Sequence, residues 1–585
     1  MSKLIPYLWA CGLSCATLPV GAQGVGAAPT TPSPAVAVAL AAAAPQLTSL
    51  TLRQVDNVAA LGQVWGLLKY FHPAVAGGQR DWDAEFLRQL PAVLACQSGE
   101  QRSRLLSAWV TGLGVVPAVP ASPAPAKAVR LDTDLRWAQD KRRFSAPLRQ
   151  QLAFIAANHQ QGASYYVSQV GSTTLFPHEE AYAELALPAL GLRLLGLCRY
   201  WNMFQYYYPY PYALGEEWAA VLPKLLPRFA EASTPLAYRH AALALFARVH
   251  DGHARFYPPD PLLEAERGAY QVAADVQFID KQAVVVGVRH DGLVPASPLE
   301  PGDVLTHFAG GAVADLVRQR LPETGASNRP AQLNTIALSL LYAATPQVAV
   351  QVVRAGQRLR LTVPAVKVGA VPPVQPAVAD SMYRLLTPEV GYIDMARIKA
   401  AKVPAIMQAL AHTKGIVIDQ RNYPGEFVAT YLPGFFLTQP VTFAKFTQRD
   451  PTCPGRFLWQ PPDTLKPKGA APYPGRVVVL VNEKSRSLAE FTAMAFQATP
   501  HGTLLGSQTA GADGNATPIT LPGGLKTLMT GIGAYYPDGR ETQRVGLAID
   551  VPVRPTVAGL RAGRDELLDR ALKLITTDQA PKPRS

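Results

Sequence analysis

The sequence has little cysteine and little charge, and each shortage excludes something. Of 585 residues only five are cysteine, and two of these, Cys11 and Cys15, fall within the first 22 residues. The other three, Cys96, Cys198 and Cys453, lie far apart with no paired spacing, so neither a disulfide framework nor a cysteine-bound zinc is expected. Cys96 and Cys198 fall in apolar helical patterns and read as core residues. Charged residues make up 17% of the chain against 48% hydrophobic, a balance that fills sizeable cores and argues against wholesale disorder. The formal net charge of +13 is spread out, with no Lys/Arg block, aromatic RNA-binding signature or zinc-finger spacing. Nucleic acid is therefore not indicated as a partner, and a mild attraction to anionic surfaces is all that follows. No HExxH or clustered Cys/His/Asp set is present, and no metal or organic cofactor is implied.

What is present divides along the chain. Its length exceeds one core and suggests three or so domains. Residues 1–22 carry Lys3, an apolar run from Leu4 to Val20 and the small-residue site Val20-Gly21-Ala22, the pattern of a secretory signal. Pro6, Gly12 and Pro19 interrupt the run, which is short for a membrane anchor. Export to the periplasm, cell envelope or medium is expected, with no integral membrane segment beyond the signal. Residues 23–47, rich in Ala and Pro, read as a flexible tether. From 48 to 258 the pattern is helical and repeats at an offset of 136, so that Trp65, Tyr70, Pro73 and Trp82 correspond to Trp201, Tyr206, Pro209 and Trp218. WGLLKYFHP and WNMFQYYYP are then two copies of one unit whose aromatics pack a core, or else face a glycan. His72, matched by Tyr208, reads as a helix-end residue. Strand-like segments fill 266–366, and from 378 to 576 strands alternate with helices as in an α/β sheet, before a short tail, 577–585.

The chemistry concentrates in RVVVLVNEKSRSLAEFTAMAF, residues 476–496, where a β-branched strand turns directly into an amphipathic helix. Ser487 stands at the join. There its hydroxyl can face the mouth of a sheet beside the free N–H groups of a helix start, as an acyl-transfer nucleophile requires. Ser487 and Glu490 also fit a capping box, in which serine and glutamate satisfy each other's backbone amides. A second stretch, VHDGHARFYP, crowds His250, Asp251 and His253 into one glycine-bearing turn, open to a metal, structural or catalytic reading.

The Ser487 region resembles the nucleophile segment of the C-terminal-processing (tail-specific) serine peptidase family. The resemblance continues through GIVIDQRNYPG before it and LLGSQTAGADGN, LPGG, YYPDGRETQRVG and LAIDVPV after it, covering residues 390–575. It implies Ser487 as nucleophile, with the N–H groups of Leu488 and Gly425 as oxyanion donors. Tail-specific members pair their serine with a lysine 25 residues on, but that position here is Ala512, and neither Lys484 nor Lys526 matches it. The DGHA turn resembles that of the tricorn-type, histidine-using branch and implies His253 as general base, a side chain that titrates near neutrality. Those relatives place a glutamate before their final turn. Here the aligned residue is Gln543, with Glu541 two positions earlier, and either is expected to orient the imidazole. SPLEPGDVLTHFAGG resembles a PDZ domain, which implies a polypeptide substrate bound by its C-terminus as an added strand. Together these features predict a multidomain α/β (α+β) protein: a helical N-terminal region with an internal repeat, a PDZ-like β-rich module and an α/β peptidase core. The expected activity is that of an exported serine endopeptidase. A silent ligand-binding member of the same fold and a glycan-binding scaffold are the alternatives.

Overall fold

The computed structural model describes residues 34–43, 45, 47–120, 126–289, 294–369, 381–469 and 471–577. The expected signal, residues 1–22, and all but the first residue of the tail lie outside them. The tether reading needs correction, because Pro34–Ala43 is a helix whose Ala37 and Ala41 are buried in the helical core. An alanine-rich run has high intrinsic helix propensity, and small side chains let it lie close against Gly191 of a neighbouring helix.

The repeat in the sequence is a repeat in the structure. Its first copy pairs helix Leu52–Phe71 with Trp82–Ala95, and its second pairs Leu190–Tyr207 with Trp218–Glu231. In the first, the indole N–H of Trp65 donates to the Trp82 carbonyl at 2.8 Å while Trp82 returns a bond to the Trp65 carbonyl at 2.9 Å. Trp201 and Trp218 repeat the exchange at 2.8 and 2.9 Å. Each large ring thus buries its area without leaving its one donor unpaired. The repeated tryptophans are interior, so they present no aromatic face to a glycan. The long helices of the two copies touch where Gly66 faces Asn202, at a separation that a Cβ would close to 1.8 Å. His72 caps the end of its helix, as Tyr208 does in the second copy.

The β-rich module is a mainly antiparallel sheet. Its strands run in the order Ala274–Ile279, Gln282–Val288, Val304–Phe308, Gln347–Arg354, Gln357–Lys367, Tyr270–Val272 and Tyr342–Ala343, with Gly311–Ala312 added beside Val304–Phe308. Helices Val313–Arg320 and Arg329–Ala337 fall between Gly311–Ala312 and Tyr342–Ala343 in the chain. Ala274–Ile279 is an edge strand, and Arg329–Ala337 lies alongside it.

The third unit is a six-stranded sheet in the order Tyr383–Thr387, Val390–Asp394, Gly415–Asp419, Arg476–Val481, Gly502–Gly506 and Val551–Pro552, parallel from the second strand onward. Val477, Val479 and Val481 pack with helix Leu488–Gln497 on one face, while Val478 and Leu480 pack with helix Glu566–Thr576 on the other. Burial on both faces explains an unbroken apolar strand in place of an alternating one. The segment between the repeats also joins this unit, as Val129–Leu131 pairs with Phe457–Trp459. Among the described residues no helix is long and apolar enough to cross a membrane.

Candidate active site

The strand Arg476–Val481 ends at the carboxyl edge of its sheet, where ligands of such sheets gather. Ser485 pins the turn that follows: its hydroxyl accepts from Asn482 N–H at 3.0 Å and donates to the Gln420 carbonyl at 2.8 Å. Ser487 then sits at φ 53°, ψ −122°, a conformation that L-residues rarely adopt and that recurs at functional sites. Its amide is engaged, donating to the Ala512 carbonyl at 3.1 Å and to Glu490 at 3.3 Å, the latter being the glutamate arm of the expected capping box. Leu488 opens the helix, and no acceptor among the described residues takes its N–H.

The second turn leaves helix Pro235–Arg248 and carries Asp251, Gly252 and His253. Asp251 is fully buried. One carboxylate oxygen accepts from the Thr530 amide at 2.7 Å, and the other from the Thr530 hydroxyl at 2.9 Å and the His253 amide at 2.9 Å. His253 Nδ1 lies 2.8 Å from the Thr530 hydroxyl and 3.3 Å from the Asp251 carboxylate. The threonine proton is committed to Asp251, so the hydroxyl oxygen accepts from Nδ1–H, and Nε2 is the ring nitrogen left to exchange a proton. Burial alone would raise the Asp251 carboxyl, but the bonds and charge of His253 and the Thr530 amide outweigh it and hold the group below the ordinary aspartate range.

The two turns meet at Ala512. Its carbonyl takes the Ser487 amide, and its Cβ lies where a Cβ on Gly252 would approach to 2.9 Å. A hydroxyl on a strained strand-to-helix turn and an imidazole with an oriented, carboxylate-backed tautomer are the parts of a nucleophile and base for acyl transfer. The sequence profile of peptidase family S41 matches residues 389–553, which include the Ser487 turn.

This domain belongs to peptidase family S41.

The chain is a serine peptidase, a hydrolase, and its S41 domain is the six-stranded sheet with its loops. Among solved structures it is similar to mature CPAF, at 14% identity and a TM-score of 0.53 over 67% of this chain and 99% of that one. Mature CPAF complexed with lactacystin gives 14% and 0.52 over 66% and 98%. The photosystem II D1 C-terminal processing protease shares 19% identity over 66% of this chain and 98% of its own, with a TM-score of 0.39. At these identities the likeness to CPAF is one of fold. No curated protein matches significantly.

Around the S41 site several expected residues stand elsewhere. The Gly425 N–H donates to the Met395 carbonyl at 2.8 Å, so it is not free to bind an oxyanion, and a Cβ there would collide with the Ala396 carbonyl. Gly425 is a close-packed turn residue. Glu541 pairs with Arg130 at 2.9 Å, and Gln543 donates to the Tyr208 hydroxyl at 3.2 Å. His253 Nδ1 faces the Thr530 hydroxyl oxygen and the Asp251 carboxylate as its acceptors, so these two groups, and not Glu541 or Gln543, hold the imidazole. Lys484 and Lys526 are exposed. Asp251 is visible in the sequence as part of the crowded turn, but Thr530 lies 277 residues from His253 and carries no local signal.

A cavity of about 490 Å³ lies between the β-rich module and the S41 domain, lined by Phe278, Lys281, Arg329, Leu333, Glu483 and Arg554. It runs beside the edge strand Ala274–Ile279. Gln277 of that strand donates to Glu483, in the turn that leads to Ser487, at 2.6 Å.

Proposed function

We propose that this protein is an exported endopeptidase that cleaves polypeptides through an acyl-enzyme, with Ser487 as nucleophile and His253 as general base. Ser487 Oγ attacks the scissile carbonyl as its proton passes to His253 Nε2. The Leu488 N–H, at the positive end of its helix, stabilises the oxyanion. Collapse of the tetrahedral species breaks the C–N bond, and the imidazolium returns the proton to the leaving amine. Water then hydrolyses the acyl-serine with the same imidazole as base. The observation that carries this reading is the hydrogen-bonded set His253, Thr530 and Asp251, which orients an imidazole in the turn that packs on Ala512. The exposed lysines nearby have no such support.

The β-rich module resembles a PDZ domain, and the groove between its edge strand and helix Arg329–Ala337 supports a delivery role. A substrate C-terminus added as a strand to Ala274–Ile279 would run toward the nucleophile's turn. Export rests on residues 1–22, and a mature terminus near Gln23 on protein recovered outside the cytoplasm is the expected result; an intact Met1 on cytoplasmic protein would count against it.

The decisive experiment is active-site labelling with a fluorophosphonate. Label should map to Ser487, be absent from Ser487→Ala, and form at least roughly 10²-fold more slowly in His253→Ala, the usual cost of losing a general base. Lys484→Ala should label as wild type. A folded His253→Ala that labels normally, beside a dead Lys484→Ala, would move the base to a lysine.

A further inference from the structure

Glu490 is a further fully buried carboxylate at the site, and the chemistry given above does not use it. Every one of its four protein partners is a donor. One oxygen accepts from the Thr509 hydroxyl at 2.5 Å and the Gly511 amide at 2.8 Å. The other accepts from the Ala512 amide at 2.9 Å and the Ser487 amide at 3.3 Å. An ionised carboxylate offers acceptors only, with about four lone-pair directions, and matches this set. Burial raises the Glu490 carboxyl above its ordinary range, and the four donors act against that rise.

The partners belong to two segments that must be in register for reaction. Ser487 is the strained nucleophile. Residues 509–512 form the loop whose last residue takes the Ser487 amide on its carbonyl and receives Gly252, the neighbour of His253, on its methyl group. Thr509 extends the arrangement by accepting the Leu547 amide at 2.9 Å. Capping a helix requires only the bond to Ser487. The other three donors lie 19, 21 and 22 residues from Glu490, so most of its bonding is spent on the loop.

We propose that Glu490 is a positioning residue for catalysis: its carboxylate clamps the Ser487 turn to the 509–512 loop and thereby sets the nucleophile in register with the histidine turn docked on that loop. The proposal rests on the reading of Ser487 as nucleophile. Glutamine has nearly the same shape but only one acceptor oxygen, and its NH₂ would face either the Ser487 and Ala512 amides or the Gly511 amide and the Thr509 hydroxyl. Losing that registry acts on reaction geometry, where a displacement of about 1 Å can cost about 10²-fold.

The test uses the full chain, a short chromogenic peptide and the fluorophosphonate. Glu490→Gln is expected to lower kcat by about 10- to 100-fold with KM changed less than about threefold, and to slow labelling of Ser487 in parallel. Thermal unfolding establishes that the variant is folded at the assay temperature. Thr509→Ser, which keeps the donor, should stay near wild type, while Thr509→Val should fall between wild type and Glu490→Gln. A folded Glu490→Gln that labels and turns over at wild-type rate would overturn the clamp and leave the nucleophile reading intact. The same holds if activity falls only in proportion to the unfolded fraction. Should Ser487→Ala itself keep activity, the nucleophile reading fails first and the clamp with it.

Discussion

His253 Nδ1 lies 2.8 Å from the hydroxyl of Thr530, a residue 277 positions further along the chain. That hydroxyl in turn donates to Asp251, two residues before the histidine, so the imidazole reaches its carboxylate both directly at 3.3 Å and through the threonine. The hydroxyl does two jobs with one oxygen. It takes the Nδ1 proton, which fixes the tautomer, and it supplies Asp251 with a donor that would otherwise be missing inside the protein.

Asp251→Asn should therefore be the more damaging of two isosteric changes. An asparagine can turn its NH₂ toward Nδ1 or the hydroxyl and favour the wrong tautomer, and a loss on the order of 10³- to 10⁴-fold in kcat is expected. Thr530→Val removes the bridge but leaves the direct contact, so about a 10- to 100-fold loss is expected. Measured kcat for both, with circular dichroism to establish folding, checks the order. A Thr530→Val loss equal to that of Asp251→Asn would mean that the carboxylate works only through the hydroxyl.

His240 joins the helical region to the β-rich module and makes stability pH-dependent. Its Nδ1 is 2.6 Å from Glu323 and its Nε2 is 3.0 Å from Glu266, while Arg228 also pairs with Glu323 and Arg267 with Glu264 nearby. Burial lowers the imidazole value, but the two carboxylates outweigh it and raise the group above 6.5. A raised folded value gives stability that is fully present below the unfolded value and is lost as pH rises through the folded one. The Tm advantage of wild type over His240→Gln should thus be largest near about pH 6 and shrink by about pH 8. An advantage that grows with pH would contradict the assignment.

Much of this arrangement is legible in the sequence where one segment carries the signal. The strand, turn and helix around Ser487 are contiguous, so periodicity alone marks them, and the reciprocal tryptophan pairs follow from an offset repeat. The rest depends on contacts between distant segments. Thr530 lies in an ordinary strand of a hairpin, and nothing local distinguishes it from Thr527. Glu541 suits an orienting role by position, yet Arg130, brought in by a strand from between the repeats, claims its carboxylate. Gly425 looks like a free turn amide, but its donor closes a backbone bond to Met395 that only the packed sheet reveals. The Pro34–Ala43 helix shows the converse, since composition alone does not separate a flexible alanine-rich run from a buried one.

The groove should discriminate substrates by length. Leu333 lines the cavity from helix Arg329–Ala337 opposite the edge strand. Leu333→Glu places a charge where a bound strand would lay its side chains, while the Ser487 turn is untouched. For a long polypeptide kcat/KM should fall by about tenfold or more, equivalent to about 1.4 kcal/mol. For a short chromogenic peptide it should stay within about twofold. Equal losses for both substrates would place the effect on the catalytic site and argue against capture in the groove.

The contact between Gly252 and Ala512 gives the sharpest test of how the base is placed. A methyl group on Gly252 would lie 2.9 Å from the Ala512 Cβ, closer than two carbons approach, whereas its next neighbours, Ser327 Oγ at 3.5 Å and Arg486 Cδ at 3.6 Å, are at ordinary contact. Gly252→Ala must then push the histidine turn away from the loop that holds the Ser487 amide, and a loss in kcat of about 10- to 100-fold is expected with KM little changed. Ala512→Gly removes the one obstructing carbon and by itself leaves the backbone bond to Ser487 in place. The double variant should therefore recover most of what Gly252→Ala loses, and the two substitutions should couple by more than about 1 kcal/mol in a double-mutant cycle. Additive losses, with the double variant no better than Gly252→Ala, would show that this contact does not set the distance between His253 and Ser487.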